Sequence, residues 1–183
     1  MGLKLVGGNA KGQKLKGPKT AGIRPASARV RKSLFDILGD LTGDQVLDLF
    51  AGTGSMGMEA LSRGAAAVTF VDDNPQAVKL LFHNLKQLGF LEQAHVLQEK
   101  VSTAMKRLAR KDRRFDLIFV DPPYDQGLVE RSLKILDGLD LLAPGGRVLC
   151  EHSPREIPPF LGRLQCVDKR KYGQTLVSFF EMP

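Results

Sequence analysis

Gln45-Val46-Leu47-Asp48-Leu49-Phe50-Ala51-Gly52-Thr53-Gly54-Ser55-Met56-Gly57-Met58-Glu59-Ala60-Leu61 decides the fold of this chain. The apolar run over residues 46–50 reads as a buried strand. It breaks at Ala51-Gly52-Thr53-Gly54, and helical spacing begins near Ser55. Strand, glycine turn and helix in that order open a doubly wound α/β sheet, with the turn at the carboxyl end of the first strand. The glycines let a ligand approach the backbone, and the helix start offers unpaired N–H groups. Gly52-x-Gly54-x-x-Gly57 alone fits the dinucleotide fingerprint as well as other nucleotide ligands. Asp48 sharpens the reading, because a carboxylate inside an apolar strand costs desolvation unless something pairs with it. A cationic ligand is one such partner.

Working outward, residues 67–71 read as a second strand that ends in Asp72-Asp73-Asn74, with Pro75 starting the next helix. An acid at that strand end is where ribose hydroxyls are held in such folds, whereas one of Asp73 and Asn74 serves as the helix cap. A helix over 76–88, a strand near 95–98 and a helix over 102–109 follow. The basic run Arg110-Lys111-Asp112-Arg113-Arg114 reads as a solvated helix end. The strand over 115–120 runs directly into Asp121-Pro122-Pro123-Tyr124. Two prolines there remove two donors and leave carbonyls free to accept. The carboxylate and a proline carbonyl can take both hydrogens of an amino group, while the aromatic ring stacks on a flat base.

Charge is distributed unevenly. The first 35 residues carry nine basic side chains and no acid, while the rest of the chain holds 18 basic and 20 acidic residues. The whole net charge of +7 therefore comes from the N-terminal segment. Clustered Lys and Arg there fit a polyanion partner, with a merely solvated arm as the bland alternative. Short strands over 3–6 and 13–16 around Gly7-Gly8 suggest a basic hairpin. A helix over 28–38, capped by Ser27, presents Val30, Leu34, Phe35, Ile37 and Leu38 as its apolar face and projects Arg29, Arg31 and Lys32 from its first turn. At 183 residues and 43% hydrophobic content, the chain allows one domain with a small appendage. Cys150 and Cys166 read as buried free thiols in a reducing compartment, His83 and His95 as structural, and no spacing suggests a metal. No apolar run reaches the length of a membrane span and no signal-peptide core is present, so a soluble cytoplasmic protein is expected.

Asp48-x-Phe50-x-Gly52-x-Gly54 followed by Asp121-Pro122-Pro123-Tyr124 resembles the class I S-adenosylmethionine-dependent methyltransferases that modify exocyclic amino groups. Arg24-Pro25, Arg29-Val30-Arg31, Ala60-Leu61-Ser62-Arg63-Gly64-Ala65 and Tyr172-Gly173-Gln174-Thr175 narrow the resemblance to the RsmD family, bacterial methyltransferases acting on the guanine 2-amino group of 16S ribosomal RNA. The resemblance implies a Rossmann-like seven-stranded sheet with its last strand antiparallel, behind a basic β-hairpin arm at residues 1–26, with the methyltransferase domain over 27–183. It implies Asp121, Pro122, Pro123 and Tyr124 as catalytic residues. Cofactor contacts would come from Asp48, Phe50, Ala51, Gly52, Thr53, Gly54, Asp72, Asp73, Asn74 and Val101, and RNA contacts from Lys11, Lys14, Arg24, Arg29 and Arg31. S-adenosyl-L-methionine is the implied cofactor, and 16S ribosomal RNA or the small-subunit ribonucleoprotein the implied partner, with neither membrane nor metal. Ala26, Ala28 and Lys100 depart from the family pattern, and Glu99 or the Val101 backbone stands as a substitute for an acid missing at Lys100. An adenine 6-amino methyltransferase acting on DNA or RNA would use the same Asp-Pro-Pro-Tyr tool. A nicotinamide-dependent oxidoreductase fits the glycines and Asp72 but leaves Asp48 and the proline pair unexplained, and a nucleic-acid-binding module on a dead enzyme fold would have no need of both intact motifs.

Overall fold

The computed structural model describes residues 3–17 and 28–183. Its centre is a seven-stranded sheet in the order β3-β2-β1-β4-β5-β7-β6. The strands are β1 (Gln45–Leu49), β2 (Ala67–Val71), β3 (Ala94–Leu97), β4 (Phe115–Val120), β5 (Leu142–His152), β6 (Gln165–Tyr172) and β7 (Thr175–Glu181). The first five pair in parallel, and β7 joins antiparallel to both β5 and β6. The helices α1 (Ala28–Leu38), α2 (Ser55–Ser62), α3 (Pro75–Leu88), α4 (Val101–Arg110) and α5 (Leu128–Asp137) complete two covering layers. Strand order reverses between β1 and β4, so the carboxyl ends of those strands border the crevice where ligands bind in open α/β sheets.

The sequence dictates this layering through period-2 burial on both sheet faces. Val46, Phe70, Phe119, Leu149 and Phe179 pack beneath α1, α2 and α3, while Leu49, Ile118, Val148 and Phe180 pack with residues of α4 and α5. β5 begins earlier than the expected 147–151. Its first residues are joined to β4 through an irregular register between Phe115 and Leu117, near Gly145 at φ +75°. Sequence patterning does not reveal a strand interrupted by a bulge.

Residues 3–17 do not stand apart from this body. They form a hairpin with one antiparallel bridge, Lys4 to Lys14, in place of the two expected strands. Leu5 and Leu15 are buried in the core under α1–α3. Val6 N–H donates to Glu59 Oε2 at 2.8 Å, Asn9 N–H to the Ser62 carbonyl at 2.7 Å, and Lys16 N–H to Asn84 Oδ1 at 2.8 Å. Asn84 in turn donates to the Thr53 carbonyl at 3.1 Å, which couples the hairpin to the glycine turn.

Arg31 corrects one expectation of the sequence. It does not project outward for RNA: it is fully buried, donates to the Lys4 carbonyl at 2.5 Å, and lies 4.0 Å from Glu59. Ile37, expected on the apolar face of α1, is instead more than a third exposed. Helical geometry explains the exchange. Arg31 shares a stripe with Leu34, Phe35 and Leu38, and the buried Glu59 supplies its counter-charge. Arg24, Ala26 and the Ser27 cap fall outside the described residues, and Cys166, expected to be buried, is exposed because β6 is the edge strand of the sheet.

Candidate active site

At the end of β1 the chain turns through Phe50, whose φ of +62° is unusual for a bulky residue. The three glycines that follow have different tasks. A Cβ on Gly52 would meet nothing nearer than the Phe50 carbonyl at 4.0 Å, so this glycine faces open space. A Cβ on Gly54 would fall 2.3 Å from Leu81, and one on Gly57 would fall 2.3 Å from the Phe70 ring. The latter two glycines let α2 lie close to α3 and the sheet, and only Gly52 leaves its face free for a ligand.

Asp72 organises this turn from the neighbouring strand. Its Oδ2 accepts from Gly52 N–H at 2.8 Å and its Oδ1 from Asn74 N–H at 2.9 Å, leaving further lone pairs for hydroxyl donors. Asn74 caps α3 by accepting from Gln76 and Ala77 N–H, and Asp73 is exposed. Val101 begins α4 and is buried, behind Lys100 at the cap position. Glu99, considered as a substitute acid, pairs with Arg107.

Three carboxylates gather on the sheet face beneath α1–α3. Asp48 stands opposite Phe119, and Val120 pairs with Cys150, which sets Asp121 beside Glu151 on the next strand. Asp48 is 2% exposed and accepts from Gly57 N–H at 2.9 Å. Burial pushes its carboxyl up to about 7, against the pull of that hydrogen bond. Burial raises Asp121 well above the usual carboxylate range, and the charges of Glu151 and then Asp48 raise it further. Burial also raises Glu151, which sequence pattern marks only as the end of a strand. No group of His, Cys, Asp or Glu among the described residues converges as a metal-ligand set, these three included. A cationic ligand would relieve the buried Asp48, so the turn fits a sulfonium or an ammonium.

Asp121 is half-buried, Pro122 buried and Pro123 exposed, so the motif forms a rigid rim at the end of β4. Tyr124 is 38% exposed, and its hydroxyl donates to Glu151 Oε1 at 2.7 Å while lying 3.0 Å from Thr175 Oγ1. Burial and the neighbouring acids push the phenol above its usual range, so it remains a donor. The ring is thus anchored by its hydroxyl, an attachment no sequence pattern announces. Thr175 follows the Tyr172-Gly173 turn, and the Tyr172 hydroxyl itself meets Ser33 of α1 at 2.9 Å. That contact accounts physically for a motif singled out only by resemblance.

The titration of Asp48 has a testable sign. A folded-state carboxyl raised to about 7 keeps a proton that the unfolded chain has already lost, so the ligand-free protein loses stability as pH rises from the ordinary carboxylate range towards 7. A cation prefers the ionised form. Calorimetric affinity for S-adenosylmethionine should therefore strengthen by several-fold between pH 6 and 8, and Asp48→Asn should flatten that dependence.

A sheet of this order, with a carboxyl-lined crevice at its switch point and Asp121-Pro122-Pro123-Tyr124 on the adjoining strand, belongs to the class I methyltransferases. Residues 3–181 match the family described as Conserved hypothetical protein 95, and the chain belongs to that family, the RsmD methyltransferases. Ribosomal RNA small subunit methyltransferase D of Escherichia coli K12 is 37% identical over 150 residues, covering 81% of this chain and 74% of that protein. YlbH of Bacillus subtilis is 33% identical over 181 residues, 98% of each chain. A hypothetical protein of Thermus thermophilus has a solved structure with TM-score 0.86 and 30% identity, covering 98% of this chain and 99% of that one. The cofactor of the class is S-adenosylmethionine, and the carboxyl-lined crevice suits it. No helix among the described residues is long and apolar enough to cross a membrane.

Proposed function

We propose that the protein transfers a methyl group from S-adenosylmethionine to the exocyclic 2-amino group of a guanine in 16S ribosomal RNA, free or in the small-subunit particle, within the cytoplasm. The observation that carries this reading is the placement of Asp121-Pro122-Pro123-Tyr124 beside Asp48 and the open face of Gly52, in a chain 37% identical to a ribosomal RNA small subunit methyltransferase. Asp48, the Gly52 backbone and Asp72 would hold the cofactor, with Phe50, Ala51, Thr53 and Gly54 shaping the turn and Asp73, Asn74 and Val101 bordering it. Bound there, the cofactor supplies a methyl group already activated by its sulfonium.

An aryl amine is a weak nucleophile because its lone pair is delocalised into the ring. Hydrogen bonds from the amine to Asp121 and to the Pro122 carbonyl localise that pair on nitrogen. Asp121 need not be a strong base, since the proton becomes acidic only once the nitrogen has been methylated, and Asp121 would then receive it. Tyr124 holds the base by its ring, and most of the rate gain comes from this positioning and from oriented polar groups.

Lys11, Lys14 and Arg29 are exposed and provide the RNA-facing charge of the described hairpin and α1. Charge reversal at Lys11 and Lys14 should weaken RNA binding and lower the slope of log affinity against log salt by roughly 0.7–0.9 per lost phosphate contact. Cofactor affinity should be retained. Filter binding across a salt series checks this, and unchanged binding at every salt concentration would leave the hairpin with a structural role only.

The function itself is tested by incubating the purified protein with labelled S-adenosylmethionine and either small-subunit RNA, large-subunit RNA, small-subunit particles or DNA. Label entering only the small-subunit substrates is the expected result. Label in DNA would favour the adenine-directed alternative.

A further inference from the structure

We propose that Glu151 is the residue that selects guanine, accepting the ring N1–H next to the amino group held by Asp121. The inference rests on the methyltransferase reading above and adds the means of base discrimination, which the Asp-Pro-Pro-Tyr motif cannot supply, since either purine presents an amino group to it.

The geometry is specific. Glu151 is 6% exposed and stands beside Asp121, because Val120 and Cys150 pair in register on β4 and β5. Neighbouring strands lie about 4.8 Å apart, so two carboxylates at adjacent strand ends can address adjacent atoms of one base edge. Oε1 of Glu151 is held by the Tyr124 hydroxyl at 2.7 Å. Oε2 accepts no hydrogen bond from the described residues, yet it is not among the sealed, unpartnered side-chain atoms. One oxygen is therefore fixed and the other is available.

Chemistry then decides between the purines. Guanine carries an N1–H donor adjacent to its 2-amino group, so its edge offers donors to both acids. Adenine carries a bare N1 acceptor adjacent to its 6-amino group, and it is repelled by Glu151 in the ionised form that the Tyr124 hydrogen bond favours. The same contrast explains why Asp121 stands beside Glu151, whose charge raises its proton affinity: the donors of one guanine edge satisfy both acids. Tyr124 accordingly has two tasks, its ring against the base and its hydroxyl on Glu151.

A base analogue isolates this contact. 2-Aminopurine keeps the 2-amino group but has a bare N1, so RNA carrying it at the target position tests the loss of that donor. Wild-type protein is expected to methylate guanine at least about a hundredfold faster than 2-aminopurine, as a site built around a substrate N–H rejects an analogue lacking it. Glu151→Gln can still accept from Tyr124 and can donate its amide to a bare N1. It should shift the guanine-to-2-aminopurine ratio of kcat/KM by at least about tenfold towards 2-aminopurine, with S-adenosylmethionine affinity within about threefold of wild type. Equal rates on the two bases in the wild-type protein would overturn the inference without needing any variant. So would a Glu151→Gln protein that binds cofactor yet keeps the wild-type ratio. A wild-type protein that binds cofactor but never methylates guanine would instead refute the proposed function.

Discussion

Asp121→Asn is expected to lower methyl transfer by about a thousandfold, the scale of losing an oriented polar group at a reacting centre. S-adenosylmethionine affinity should change by less than about tenfold. The separation arises because Asp121 sits at the rim formed with Pro122 and Tyr124, while Asp48 and Asp72 border the glycine turn. Asparagine keeps the size of the side chain but offers one acceptor oxygen and cannot take up the amine proton. Single-turnover rates and calorimetric titration with cofactor make the comparison. Equal losses in rate and in cofactor binding would reassign Asp121 to the cofactor.

The second large effect falls on stability. Arg31→Ala should destabilise the protein by about 3–5 kcal/mol, because it leaves Glu59 buried with a diminished counter-charge. Glu59 is fully buried, and its remaining ionic partner among the described residues is Arg63, 3.0 Å from Oε1. Arg31 also ties the Lys4 carbonyl of the hairpin to α1, so its loss should loosen residues 3–17 first. Urea denaturation followed by circular dichroism gives the magnitude, and hydrogen exchange at Leu5 and Leu15 the location. A variant with wild-type stability would show that the Arg31–Glu59 pair is dispensable. Lys14→Ala, at an exposed position on the same hairpin, should cost less than about 0.5 kcal/mol.

The parts of this structure legible in the sequence are those where periodicity and punctuation agree. β4 occupies the expected 115–120 and α1 the expected 28–38, each a strong apolar pattern with a definite end. The glycine turn and Asp121-Pro122-Pro123-Tyr124 are readable as chemistry because their residue types are costly anywhere else in a sheet. Arg31 misleads because pattern arguments treat charge as an exposure signal, and its partner Glu59 lies 28 residues away in sequence. Glu151 is hidden for a related reason. Its significance comes from register with β4 and from the Tyr124 hydroxyl, neither of which is encoded locally. The glycines illustrate a third limit: all three match one motif, yet only Gly52 opens onto free space.

Central to the account is the identity of the methylated atom. Small-subunit RNA treated with the protein and S-adenosylmethionine, digested to nucleosides and resolved by mass spectrometry, reads it directly. N2-methylguanosine is the expected product, absent when Asp121→Asn replaces the wild-type protein. N6-methyladenosine, or a methylguanosine modified at a ring nitrogen, would contradict it.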